Sequence, residues 1–169
     1  AIPVLETDPA PSLDSLPWSL EDLEARYGFK GKKSQLRLAY IERLPAPGAL
    51  VLAGLGPADE LTAETLRTAA GKAVRKAIEL DLKAVHIVIP AFDPQTIGMD
   101  AAMTALAEGA LLANYQFTRY KAAEHASLDR IDLIGPHSLV KSHRQRLASV
   151  AAVCEAAILA REWVNTPAN

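Results

Sequence analysis

The eight residues Ala49–Gly56, ALVLAGLG, contain no polar side chain. Such a segment must be covered on both faces, and its length suits a strand inside a sheet rather than a membrane span. A second run, AVHIVIP from Ala84 to Pro90, is apolar apart from His86. Between the two, Leu66, Ala69, Ala70, Ala73, Val74, Ala77 and Ile78 recur at intervals of three and four, the stripe of an amphipathic helix. Thr62 is placed to cap that helix, with Leu61 and Leu66 as a hydrophobic staple. Buried strands alternating with helices of crossover length predict an α/β domain with a largely parallel sheet and helices on both sides.

The flanking sequence extends this pattern. IPVL (Ile2–Leu5) predicts a short strand, and Pro3 places it near an edge or a strand start. A Pro-, Ser- and Asp-rich loop follows, then a short helix capped by Ser19, with Glu21 and Asp22 in its first turn. Trp18 and Leu23 form its staple, and Gly28 ends it. Leu36, Leu38 and Tyr40 alternate with Arg37, Ala39 and Ile41, the signature of a strand with unequal faces. Asp100 opens an alanine-rich helix that runs to about Tyr115. RIDLIG (Arg130–Gly135) predicts the last strand. Ser142 and Gln145 fit a capping box for a final helix whose apolar face runs from Leu147 to Ile158.

Composition narrows the function classes. The chain of 169 residues is one domain, and 50% hydrophobic with 22% charged residues is a globular balance. The net charge of −2 supplies no global attraction to nucleic acid or acidic membranes. Cys154 is the single cysteine, which excludes an intrachain disulfide and points to a reducing compartment. AIPVLETDP lacks the basic start and long apolar core of a signal peptide, so the expectation is a soluble cytoplasmic protein.

Catalytic patterns are scarce. His86, His125, His137 and His143 form no metal-binding motif, and His86 within an apolar strand reads as a hydrogen-bonded imidazole. His137 and His143 flank the start of the last helix as solvated side chains. Cys154 falls in mid-stripe as a small core residue. Glu21-Asp22 and Asp59-Glu60 sit at helix starts, where the dipole accounts for them. Gly54 and Gly56, in the GLGP segment between a strand and a helix, are the candidate ligand loop. Glycines for a tight turn account for the same pattern. Two basic clusters stand out, Lys30/Lys32/Lys33/Arg37 and Lys141/His143/Arg144/Arg146. The second is the candidate nucleic-acid patch, and a solvated face accounts for it equally.

Four stretches carry a resemblance: GFKGK, VLAGLGPADELTAETLRTAAGKAVRKA, AEGALLANYQFTRYK and AREWVNTPAN. In that order they resemble the leucyl aminopeptidases, the di-metal cytosol exopeptidases, from about Phe29 to Asn169. The resemblance implies a three-layer macro-like domain over residues 1–164, with a mixed, mostly parallel sheet between helices. Residues 1–28 match poorly, and residues 165–169 would begin the junction to a catalytic domain. Asn165-Thr166-Pro167 is chemistry for leaving a helix, which suits a chain turning toward such a domain.

The family's metal ligands, catalytic lysine and Asn-Thr-Asp-Ala-Glu-Gly-Arg motif have no counterpart in this sequence. The resemblance therefore implies an assembly or regulatory domain without catalytic residues. Its parent would use two divalent cations, zinc or manganese, to release N-terminal residues from peptides, and would form a homo-hexamer. Two alternatives stand beside it: a free-standing macro-like ligand-binding module using Gly54 and Gly56, and a DNA-binding accessory domain.

Overall fold

A computed structural model describes residues 2–5, 20–41, 48–89, 96–120, 125–135 and 137–167. Its elements in chain order are β1 (Ile2–Leu5), α1 (Leu20–Tyr27), β2 (Leu36–Ile41), β3 (Gly48–Gly56), α2 (Ala63–Glu79), β4 (Ala84–Val88), α3 (Met99–Asn114), β5 (Arg130–Ile134) and α4 (His137–Asn165). The architecture is mixed α/β, as the alternation of buried runs and amphipathic stripes predicts.

β3 lies between two partners. It pairs in parallel with β1, Ile2 opposite Leu52, and antiparallel with β2, Leu36 opposite Ala53. The antiparallel partner follows from chain length, because the short connection between β2 and β3 cannot make a crossover. β4 and β5 form a second, parallel ladder with His86 opposite Asp132. The described residues thus hold a three-stranded mixed sheet and a two-stranded parallel one.

Both faces of β3 are covered. Ala53 and Leu55 join the core beneath α2, together with Leu66, Val74, Ile87, Met103 and Leu106. Gly54 points to the opposite face. A Cβ there would stand 2.1 Å from the carbonyl oxygen of Lys32, so the chain after α1 is folded directly onto the strand. Phe29 and Leu23 are buried on that side of the sequence, at 0% and 1% exposure.

α2 and α3 approach backbone to backbone. A Cβ on Gly109 would lie 2.1 Å from the Arg67 carbonyl oxygen, and one on Gly71 would lie 3.3 Å from that of Gly109. Small side chains on α3, Ala102, Ala105 and Ala110, allow this closeness and are themselves fully buried. α4 adds a further helix on α3, where Val150 and Cys154 pack against Ala107 with Leu111, Leu112 and Leu147 around them.

The helix ends mostly follow local chemistry. The Thr62 hydroxyl accepts from the Thr65 amide at 3.2 Å, the predicted cap. Gly28 ends α1 in the left-handed region, φ +61°, and its amide donates to the Glu24 carbonyl. Gly98, not Asp100, occupies the N-cap position of α3, leaving Asp100 in the first turn. The expected capping box of α4 is not formed: the helix already begins at His137, which puts Ser142 and Gln145 inside it. Trp18 and Ser19 lie outside the described residues.

Candidate functional site

Gly54 and Gly56 do not form an open loop. Both belong to β3, and their polar backbone atoms are engaged by the segment folded over it. The Gly54 amide donates to the Gln35 carbonyl at 2.8 Å, and the Gly54 carbonyl accepts from the Ser34 amide at 3.2 Å. The Gly56 amide donates to the Gly31 carbonyl at 2.9 Å. Gln35 locks the segment in turn, its Oε1 accepting from the Lys30 and Lys32 amides and its Nε2 donating to the Gly28 carbonyl. Gly56 has φ +83°, a conformation that favours glycine. Both glycines therefore have packing and conformational reasons to be where they are.

The basic patch on α4 is divided. His143 Nε2 and Arg146 Nη2 both contact the Asp100 carboxylate at 2.7 Å, one on each oxygen. The His143 side chain is only 15% exposed, so it is not the solvated group its position suggested. The reason is tertiary: the first turn of α3 brings Asp100 against it. Lys141 and Arg144 remain exposed. In the other basic cluster, Lys30 is paired with Glu24 at 2.7 Å and Arg37 donates to the Tyr27 carbonyl.

The other candidate groups have structural partners. His86 Nδ1 meets Asp132 Oδ2 across the ladder at 2.9 Å, and Arg130 Nε meets the same oxygen. His125 Nδ1 contacts Asp81 at 2.9 Å. Cys154 is buried, and loss of hydration pushes its thiol pKa up, away from reactive thiolate. Among the described residues no three His, Cys, Asp or Glu side chains gather where a metal ion could be held. The side chain of His137 lies outside the described set.

Two of the stretches that carry the resemblance meet in space at the far end of α4. The Tyr115 hydroxyl donates to Glu162 Oε1 at 2.7 Å, and Arg119 donates to the Thr166 hydroxyl at 3.0 Å. Thr166 donates back to the Glu162 carbonyl at 2.7 Å, closing the helix end. Phe117 and Tyr120 stack edge to face beside this contact in sequence, their centroids 5.7 Å apart. On α4 itself Trp163 is 70% and Val164 85% exposed, although both are large apolar side chains.

Residues 5–124 match the family model described as the cytosol aminopeptidase family, N-terminal domain. The chain belongs to that family. Among curated relatives, a probable cytosol aminopeptidase of Rhodococcus erythropolis is 38% identical over 151 residues, covering 83% of this chain and 27% of the relative. One from Microcystis aeruginosa is 33% identical over 159 residues, covering 92% and 31%. The chain thus spans about a third or less of these cytosol aminopeptidases. Among solved structures, the bottromycin maturation enzyme BotP superposes with a TM-score of 0.66 at 26% identity, over 86% of this chain and 30% of BotP. A mutant tomato leucine aminopeptidase shares the fold with a TM-score of 0.71 at 22% identity, over 98% of this chain and 35% of its own. This cytosol aminopeptidase N-terminal domain has no helix among its described residues that is long and apolar enough to cross a membrane.

Sequence reasoning did not find Asp100 and Glu162 as organising groups. Each meets its partners across 43 or more positions, a separation at which no local pattern exists. The only available signal was that Tyr115 and Glu162 both fall within stretches carrying the resemblance.

Proposed function

We propose that this chain is the non-catalytic assembly domain of a metal-dependent leucyl aminopeptidase, and that α4 carries it onto the catalytic domain. In this reading residues 1–164 are the domain and residues 165–169 begin the junction. The parent is a cytoplasmic homo-hexamer that releases N-terminal residues from peptides. Two divalent cations, zinc or manganese, would polarise the peptide carbonyl and activate water there. No residue described in this chain fits such a metal pair, so its ligands would belong to the catalytic part. BotP has been solved with Mn, which agrees with a divalent-metal parent.

The observation that carries the proposal is the junction end of α4. Trp163 and Val164 are left uncovered where Tyr115–Glu162 and Arg119–Thr166 fix the direction in which the chain leaves the helix. A covering partner that follows in the same polypeptide explains both features together.

The test is the intact mass of the endogenous protein, captured from its native cells with an antibody against this domain. A species well above 18.1 kDa that hydrolyses leucine amides with manganese is expected. A species of the chain's own mass, or hydrolysis by the 169-residue chain alone, overturns the proposal.

A further inference from the structure

A groove of about 580 Å³ runs along α2, closed on its other side by the end of α3 and by Arg161 of α4. Its floor is small and apolar, formed by Gly71, Leu112 and Ala113, and its walls are cationic. Arg67 is neutralised by Glu64 and Glu108, and Lys76 by Glu79 at 2.8 Å. Three cations are left over. Lys72 has one long contact, 3.4 Å to the Ser34 carbonyl. Arg75 and Arg161 have no hydrogen bond or ion pair among the described residues. These three face a common space in which the lining carboxylates, Glu64 and Glu79, are already paired with Arg67 and Lys76.

We infer that this groove binds a compact oligoanion, bearing two or more phosphate or carboxylate groups, between Lys72 and Arg75 of α2 and Arg161 of α4. The site's chemistry sets the size. Glu64 and Glu79 line the groove about 22 Å apart along α2; Lys72 lies near the midpoint between them, and Arg75 about 5 Å beyond it, about 6 Å from Glu79. A short anion can sit among Lys72, Arg75 and Arg161 clear of Glu64, with Glu79, already paired to Lys76, at one end. A long polyanion such as a nucleic-acid strand would have to run over the flanking carboxylates. Guanidinium forks donate to either phosphate or carboxylate in bidentate fashion, so the groups present do not favour one over the other. Because Arg161 precedes Glu162, a bound anion would bear directly on the helix end that Tyr115 holds. The inference stands on the groove alone and is independent of the aminopeptidase assignment.

Isothermal titration of the chain with pyrophosphate, and separately with citrate, tests it and distinguishes the two chemistries. Saturable binding of at least one probe is expected at low salt, weakening as salt is added. Arg75→Ala and Arg161→Ala should each weaken it about tenfold, the loss of one charge-assisted contact. Glu79→Gln, which frees Lys76, should tighten it, and Lys141→Ala on the opposite half of α4 should leave it unchanged. Amide chemical shifts of the unsubstituted chain should move at Lys72–Lys76 and around Arg161. No saturable binding up to about 10 mM probe overturns the inference. So does binding that survives the Arg75→Ala/Arg161→Ala pair, shifts confined elsewhere, or a single-stranded oligonucleotide that outcompetes pyrophosphate.

Discussion

The phenol of Tyr115 donates to the carboxylate of Glu162 across 47 positions of sequence, at 2.7 Å. This contact joins the residue after α3 to the last turn of α4. Tyr115→Phe should therefore raise amide hydrogen exchange in the final turns of α4 and leave the β3–α2 core unchanged. Partial burial, then the Glu162 hydrogen bond, raises the Tyr115 pKa above its usual value of about 10. The contact is thus present below the ordinary tyrosine pKa and is lost as pH rises through the raised value. The effect of Tyr115→Phe should accordingly be the same at pH 6 and pH 8, and vanish only in strong alkali. A loss that already varies across neutrality would mean that another group holds the helix end.

Gly109 and Gly71 make a matched pair of tests. A methyl at position 109 has no space, whereas one at 71 needs only a few tenths of an ångström. Gly109→Ala should cost at least about 2 kcal/mol by overpacking two backbones, measured by denaturant unfolding. Gly71→Ala should be close to neutral, since the better helix propensity of alanine offsets slight crowding.

Cys154 should resist thiol reagents in the native state. Its exposure is 2%, and burial, the first cause of its raised pKa, keeps it protonated at neutral pH. Labelling with a maleimide should follow unfolding, appearing only as denaturant opens the α3–α4 contact. Rapid labelling in buffer would show that α4 lifts from α3 on its own.

Asp100→Asn should loosen the first half of α4 and release His143 and Arg146. Asp100 is 57% exposed, so solvent screening holds the stability loss to no more than about 1 kcal/mol. The larger change should be electrostatic. With His143 and Arg146 freed beside Lys141 and Arg144, the variant should be retained longer on a cation exchanger. Unchanged retention would mean that the two side chains find other carboxylates.

Where the sequence was informative, it was so for local reasons. β3 and α2 were legible because a fully apolar run and a helical stripe each have one physical interpretation, and the Thr62 cap accepts from the Thr65 amide only three residues on. The start of α4 was misplaced because Ser142 and Gln145 satisfy a local pattern, whereas the helix already begins at His137. Gly54 and Gly56 looked like an open turn because nothing in their neighbourhood reveals that residues 31–35 fold back onto them. The divided basic patch was hidden for the same reason: Asp100 is remote in sequence. Contacts that depend on which helices become neighbours are set by the assembled core, and these are the ones that define the surfaces of interest.

α4 spans 29 residues, about 43 Å, and among its described side chains the buried ones are Val150 and Cys154. That geometry is a lever with two unequal arms. Asp100 holds the shorter arm at His143 and Arg146, and Trp163 rides near the tip of the longer one. From a fulcrum between the two anchors, Arg146 and His143 stand about 9 Å and 14 Å away and Trp163 about 16 Å, so a displacement at the Asp100 end would reach Trp163 reversed and enlarged.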